Sequence, residues 1–231
     1  MRIRFKVWVI FPVIVGLLLF GATVGYIIQN EARIAHLEYE NAEQEVVLTF
    51  HSRQIPYIVK YSKIVGVLTT VSEGRLSAFV IVEIGKTILI QCEIYSDIGL
   101  TPDIILAVME RESGFDPNAI SKARAYGLMQ VIRSTAELHL AILGYGNMFS
   151  KDLILDPIIN VEIGIAEIVR LRKLFLTEGI DNWMVVLTAY FWGERNTWEL
   201  LNSKKRARLP SLEYGSGILD LAKKYQGIIP K

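Results

Sequence analysis

The strongest constraint on this chain is an uncharged run near its N-terminus, residues 7–28. As a helix the run would span about 33 Å, enough to cross a bilayer core of about 30 Å. Arg2, Arg4 and Lys6 precede it, and the positive-inside rule therefore predicts a cytoplasmic N-terminus. The sequence predicts a single-pass membrane anchor over residues 1–28, with the rest of the chain exported.

A cleaved signal peptide is the alternative for this segment. The run is long for the apolar part of a signal peptide, and no Ala-x-Ala cleavage site follows it. Cys92 is the only cysteine, so neither a lipoprotein anchor near the run nor an intramolecular disulfide is available. Both alternatives place the remaining chain outside the cytoplasm.

Composition excludes several classes of function. A formal charge of +1 over 231 residues argues against a nucleic-acid partner, which normally requires a basic surface. The three histidines, His36, His51 and His139, are far apart and form no HExxH pattern, so no metal site is predicted. No phosphate-binding glycine loop is present, and no cofactor is predicted.

The spacing of apolar residues predicts an all-α fold. Residues 30–50 read as an amphipathic helix, and a break at residues 72–77 marks a domain boundary. We expect an anchor (1–28), a juxtamembrane helical stalk (29–78) and a globular helical domain (79–231). Within that domain helices are expected from residue 79 to about 98 and over residues 102–112, 127–143, 160–176, 182–191 and 218–225. Residues 29–60 either pack as a spacer or bind a partner in the cell envelope.

One predicted helix carries an unusual glutamate. Thr101 is a suitable N-cap, Pro102 suits the first helical position and Gly114 is a suitable stop. Glu112 then lies in the last turn, on the same face as apolar residues, whereas Glu110 points elsewhere and is expected to be solvated. Burial and the negative end of the helix dipole both oppose ionisation of Glu112. Such a carboxyl is suited to donate a proton, although pairing with a nearby arginine is equally compatible with the pattern.

The residues around this helix carry a resemblance to a known family. The motifs are Glu112-Ser113-Gly114-Phe115, Asn118-Ala119, Ser121, Gly127-Leu128-Met129-Gln130 and Ser134-Thr135-Ala136. Weaker matches follow at Asp156-Pro157, Asn160, Gly164, Ala189 to Gly193, and Pro210 to Glu213. Together they resemble the soluble lytic transglycosylase family, which has a goose-type lysozyme-like fold. The resemblance covers roughly residues 80–230.

The resemblance implies cleavage of peptidoglycan glycan strands at the β-1,4 bond between N-acetylmuramic acid and N-acetylglucosamine. Glu112 would protonate the glycosidic oxygen and then deprotonate the sugar C6 hydroxyl, which closes a 1,6-anhydro ring without water. The substrate contacts implied are Ser113, Ser121, Met129, Gln130, Tyr190 and Glu213. With the anchor over residues 7–28, the enzyme would sit in the bacterial inner membrane with its catalytic domain on the periplasmic, cell-wall side.

The chain departs from the family pattern at several positions. Phe191 stands where the family usually has Asn, Arg124 where it has Gly, and Arg133 where it commonly has Pro. Tyr214 and Gly217 replace the usual Thr and Tyr of the last motif. These departures leave the candidate acid in place but bear on the shape of the groove.

Two other functions remain open from the sequence. A goose-type lysozyme-like or chitinase-like hydrolase would need a second carboxylate to activate water, and Asp116, Glu162 and Glu194 are the candidates. The chain would otherwise be an inactive wall-binding or assembly protein that keeps the groove. A chance match of the motifs in an unrelated membrane-anchored helical protein is the third reading.

Overall fold

The structure, a computed structural model, describes residue 26 and residues 29–44, 54–146, 149–202 and 210–229. Apart from Tyr26, the predicted membrane segment over residues 7–28 lies outside this described part. Within the described residues, no helix combines the length and apolar character needed to cross a membrane. The chain divides into two units, residues 1–41 and 42–231.

Helices dominate the described residues, which confirms the predicted helical class. Residues 29–44 are helical (α1), as expected for most of the 30–50 segment. The other α-helices are α2 (Gln54–Val71), α3 (Ala78–Ile94), α4 (Pro102–Ser113), α5 (Arg133–Leu140), α6 (Lys151–Leu155), α7 (Pro157–Thr177), α8 (Trp183–Trp192), α9 (Glu194–Asn202) and α10 (Pro210–Gln226). A 3-10 turn at Ser96–Ile98 precedes α4. Strands β1 (Ala125–Tyr126) and β2 (Val131–Ile132) pair antiparallel in a hairpin that the sequence did not predict.

Helix α2 packs closely against α3. A Cβ added at Gly85 would lie 2.9 Å from the Val65 side chain, so a glycine is needed where the two helices approach. Ile64 and Leu68 of α2 are fully buried in the same core as the later helices. The predicted division between residues 78 and 79 falls after the first residue of α3, and α2 and α3 share one core.

Helix α4 runs through the centre of that core. Its residues 105–109 are completely buried, which explains its apolar sequence. Gly114 ends the helix in the left-handed conformation, at φ 59°, as predicted. Thr101 precedes the helix in extended conformation, but its side chain makes no capping hydrogen bond. Thr101 is therefore the N-cap residue, as predicted, although it caps α4 without its side chain.

The predicted helix over residues 127–143 is wrong in its first turn. Gly127 and Gln130 have positive φ angles of 73° and 49°, which an α-helix does not tolerate. The chain instead makes a turn and strand β2 before α5 begins at Arg133. Two short helices, α6 and α9, were not predicted.

Helix α10 begins at Pro210, eight residues before its predicted start at residue 218. Gly215 and Gly217 lower the helix propensity of α10, and close packing explains the glycine at position 215. A Cβ at Gly215 would meet the Met184 carbonyl oxygen of α8 at 2.6 Å. Tertiary packing between α10 and α8 therefore overrides the local propensity.

Helix α10 is also tied to α4. Lys224 donates to Glu110 at 3.0 Å, and the Tyr225 hydroxyl donates to the same carboxylate at 2.5 Å. The expectation that Glu110 is simply solvated is wrong, because it clamps the two helices together. The clamp fixes α10 against the helix that carries Glu112.

Candidate active site

Helix α4 places Glu112 in its last turn, partly buried beneath α10. Burial raises the pKa of the Glu112 carboxyl. A hydrogen bond from Tyr214 and the positive charge of Arg111 oppose that rise, but burial prevails. The carboxyl is therefore easier to keep protonated than an ordinary glutamate, as the sequence predicted.

Tyr214 is the direct partner of this carboxyl. Its hydroxyl, on α10, donates a hydrogen bond to Glu112 Oε1. The Tyr214 ring stacks on Phe191 at the end of α8, with ring centroids 4.1 Å apart and planes 15° apart. The Arg111 guanidinium lies over the same ring, 5.6 Å from its centroid. Tyr214 of α10 thus contacts both the Glu112 carboxyl of α4 and the end of α8.

Sequence reasoning treated Tyr214 and Phe191 only as departures from a family pattern. The structure makes Tyr214 the residue in direct contact with the candidate acid and makes Phe191 the ring that packs on it. No local signal in the sequence pairs residues that are 23 positions apart. Only the packing of α10 against α8 reveals the stack.

Asn160 of α7 fixes the loop that follows α4. Its side chain is fully buried and its amide makes three hydrogen bonds, all at 2.8 Å. The Oδ1 atom accepts from the Met129 backbone N–H, and Nδ2 donates to the carbonyls of Tyr126 and Ile154. A Cβ at Gly127 would lie 2.5 Å from this Nδ2 atom. Gly127 is therefore required both by its positive φ and by the approach of Asn160.

Met129 and Tyr190 meet at this loop. The Met129 side chain is completely buried, and a Cβ at Gly164 of α7 would lie 2.5 Å from its sulfur. The Tyr190 hydroxyl donates to the Met129 carbonyl at 2.7 Å. Burial, with the charges of Glu112 and Glu167, raises the Tyr190 pKa well above its usual value. The Glu112 charge thus acts on Tyr190 electrostatically, while the Tyr190 hydroxyl donates its hydrogen bond to the loop backbone.

The two predicted serines bind backbone groups. The Ser113 hydroxyl lies within hydrogen-bond reach of the carbonyls of Leu128, at 2.8 Å, and Met109, at 3.2 Å. It joins the end of α4 to the Gly127–Gln130 turn. The Ser121 hydroxyl accepts from the Ala125 N–H at 3.0 Å and closes the turn before β1.

Gln130 and Glu213 lie in different surroundings. The Gln130 side-chain amide donates to the carbonyls of Gly127, at 2.9 Å, and Ala119, at 3.2 Å, and so braces the loop from within. Glu213 is exposed in the first turn of α10, next to Tyr214. Their predicted contacts with substrate stay predictions.

The three carboxylates considered for a hydrolase each have another partner. Asp116 accepts from the Asn118 N–H at 2.9 Å, and Glu194 pairs with Arg170 at 2.9 Å. Glu162 accepts from the Tyr145 hydroxyl at 2.6 Å, and burial raises its pKa. None of these contacts involves Glu112 or Tyr214.

A second charged cluster lies on α7. Glu167 binds His139 at 2.8 Å and Arg170 at 2.9 Å. Burial alone would raise the Glu167 pKa, but the hydrogen bonds from Arg170 and His139 outweigh it and lower the pKa. Glu167 is therefore a negative charge held by Arg170 and His139, and it is unsuited to act as an acid.

The described residues offer other features that the site does not use. They contain no cluster of His, Cys, Asp or Glu that is suited to hold a metal ion. A cavity of about 580 Å³ opens at the opposite end of α4, where Thr101, Asp103 and Trp183 line it. None of the predicted site residues lines that cavity.

The sequence model for the transglycosylase SLT domain matches residues 94–209, which include Glu112, the loop and α8. This chain belongs to the transglycosylase SLT domain family. The match confirms the resemblance inferred from the motifs. It ends one residue before α10, so the helix that carries Tyr214 lies outside it.

Curated relatives in the SLT family match a similar region. The membrane-bound lytic murein transglycosylase C of Shigella sonnei is 34% identical over 112 residues, or 46% of this chain and 31% of the relative. The protein of the same name from Klebsiella pneumoniae is 35% identical over the same lengths. The matched region thus spans about a third of these relatives.

Solved structures support the fold. An inactive mutant of the lytic transglycosylase Slt from Pseudomonas aeruginosa aligns with a TM-score of 0.50 and 21% identity, over 59% of this chain and 23% of the other. The 70 kDa soluble lytic transglycosylase of Escherichia coli aligns with a TM-score of 0.50 and 19% identity, over 71% of this chain and 30% of the other. At these identities the likeness concerns the fold alone.

Proposed function

We propose that this chain is a membrane-anchored peptidoglycan lytic transglycosylase with Glu112 as its acid and base. The observation that carries the proposal is the Glu112 carboxyl, kept protonatable by burial and held by Tyr214, within the matched SLT domain. The names of the curated relatives support lytic cleavage of murein as the activity.

In the proposed reaction Glu112 protonates the glycosidic oxygen as the bond to N-acetylmuramic acid breaks. The acetamido group of that sugar stabilises the developing positive charge at its anomeric carbon. The Glu112 carboxylate then takes the proton of the sugar's C6 hydroxyl, whose oxygen closes the 1,6-anhydro ring. Glu112 ends the cycle protonated, and no water is consumed.

The carboxyl environment suits both halves of this cycle. Burial favours the neutral acid that starts the reaction, because it disfavours charge. The Tyr214 hydroxyl can donate to the carboxylate that the first step creates, which limits the cost of that charge. The mechanism needs one carboxylate, and the separate partners of Asp116, Glu162 and Glu194 favour it over a two-carboxylate hydrolase.

The test is digestion of purified peptidoglycan by the full chain in mild detergent, with mass spectrometry of the released fragments. We expect anhydro-sugar ends, and we expect Glu112→Gln to lower their rate at least about 100-fold, since general acid catalysis is worth about 10²–10⁴-fold. Glu73→Gln, in the exposed loop between α2 and α3, is the control and should match the parent. Reducing ends would indicate a hydrolase, and no product would indicate a binding protein.

The proposed anchor has a separate test. A reporter enzyme that works only after export, fused to the C-terminus, should be active and should sediment with membranes. The motivation is the uncharged run over residues 7–28 behind Arg2, Arg4 and Lys6. Recovery of a shortened, freely soluble protein from the periplasm would contradict the anchor and indicate a cleaved signal.

A further inference from the structure

Phe191 has an unusual combination of exposure and order. It lies in the last turn of α8, and 53% of its surface is accessible to solvent. One face of its ring is covered by Tyr214, whose centroid is 4.1 Å away. The exposure therefore comes from the opposite face and the edges, so the protein presents a flat apolar ring to solvent there.

Two direct contacts link this ring to the candidate acid. Phe191 contacts Tyr214 by stacking, and the Tyr214 hydroxyl contacts Glu112. A glycan strand whose scissile oxygen lies at Glu112 would therefore have this exposed aromatic ring only one side chain, that of Tyr214, away from the reacting carboxyl. Further along α10, Lys224 and Tyr225 bind Glu110 and so hold the helix that carries Tyr214 against α4.

We propose that the exposed face of Phe191 is a stacking platform for one pyranose ring of the glycan strand, next to the bond at Glu112. The proposal rests on the proposed function. A pyranose presents axial C–H groups on one face and hydroxyls at its rim, so an aromatic ring can cover the C–H face while the hydroxyls stay in water. Polar substrates gain apolar burial and ring contact in this way.

The chemistry of Phe191 favours a sugar over the stem peptide. Stem peptides carry carboxylate and amine groups, which require charged or hydrogen-bonding partners. Phe191 offers neither, and the Arg111 guanidinium lies over the Tyr214 ring. Asparagine, which the family usually has at this position, carries a polar amide, so a phenylalanine there would shift the preference of this site toward the apolar face of a sugar ring.

The test measures binding in the Glu112→Gln background of the full chain, where turnover does not interfere. The probes are glycan strands stripped of peptide and, separately, strands that keep it. We expect Phe191→Leu, which keeps apolar volume but loses the flat ring, to weaken binding of stripped strands about tenfold. Phe191→Tyr should bind within about twofold of the parent background, because the ring remains.

Phe79→Leu is the matched control, because Phe79 is a similarly exposed phenylalanine, 68% accessible, on α3. It should leave affinity unchanged. Equal affinity of Phe191→Leu and the parent background for stripped strands would overturn the platform. A loss seen only with peptide-bearing strands would also overturn it, in favour of a peptide contact.

Two further readouts separate the platform from other roles. In the active chain, Phe191→Leu should raise KM with little change in the pH dependence of kcat/KM. A shift of that pH profile with unchanged binding would mean that Phe191 acts only through Tyr214, which overturns the platform. If the parent chain releases no anhydro product while binding still depends on the Phe191 ring, the proposed function fails and the platform stands.

Discussion

Replacement of Asn160 by alanine tests how the active-site loop is held. The side chain is fully buried and makes three hydrogen bonds at 2.8 Å. At about 1 kcal/mol for each hydrogen bond, the substitution should cost about 3 kcal/mol of the free energy of unfolding. The Met129 N–H left without a partner pushes the cost toward about 5 kcal/mol.

The assay is thermal unfolding of the full chain and its variants in one detergent. For a protein of this size about 1 kcal/mol lowers Tm by about 2–4 °C, so the loss expected for Asn160→Ala is at least about 6 °C. Asn196→Ala is the matched control: its amide makes one exposed hydrogen bond, to the Trp192 carbonyl at 2.7 Å. That variant should lose less than about 1 kcal/mol.

Asn160→Asp separates hydrogen bonding from size. The aspartate keeps the shape and an acceptor for the Met129 N–H, but it places an oxygen against the carbonyls of Tyr126 and Ile154. We expect it to be at least as destabilising as alanine near neutral pH, because it adds repulsion and a buried charge. A Tm for Asn160→Ala within about 2 °C of the Asn196→Ala value would refute the hydrogen-bond reasoning.

Three further predictions concern neighbouring positions. Tyr214→Phe removes a donor that lowers the Glu112 pKa; the limb of kcat/KM that falls as pH rises should therefore move to higher pH, and an unmoved limb would contradict the contact. Gly127 has a φ of 73°, and a new Cβ there would lie 2.5 Å from a buried amide nitrogen, so Gly127→Ala should lower the free energy of unfolding by at least about 2 kcal/mol. Gly217 has open space around it, so Gly217→Ala should raise the free energy of unfolding by about 0.5–1 kcal/mol. Arg124→Gly should raise Tm, because Arg124 is held at φ 59°; a lower Tm would show that its side chain contributes more than the backbone strain costs.

The sequence predicted α4 and its glutamate because the signals there are local. Pro102 at the first turn, apolar spacing through residues 105–109 and Gly114 at the end all act within 13 residues. Such signals need no knowledge of the rest of the fold. The burial that raises the Glu112 pKa follows from the same apolar face.

The turn at Gly127–Gln130 could not be predicted in the same way. Its residues have apolar spacing that suits a helix, but Met129 donates its backbone N–H to a side chain 31 positions later in the chain. Asn160 reads as an ordinary helix residue unless its three partners are known. The turn is therefore defined by long-range hydrogen bonds, and a periodicity argument favoured the wrong structure.

The structure gives one explanation for the departures from the family pattern at positions 191, 214 and 217. Tyr214 and Gly217 are three positions apart on α10, so they lie on neighbouring parts of one helix face. A tyrosine at position 214, in place of the one the family pattern has at 217, keeps a phenol on that face one turn earlier, where it reaches Glu112. The earlier position brings its ring against the end of α8, and Phe191 supplies the flat surface that packs on it. An asparagine there would leave the Tyr214 ring without its stacking partner, so the substitutions at 191 and 214 make physical sense as a pair.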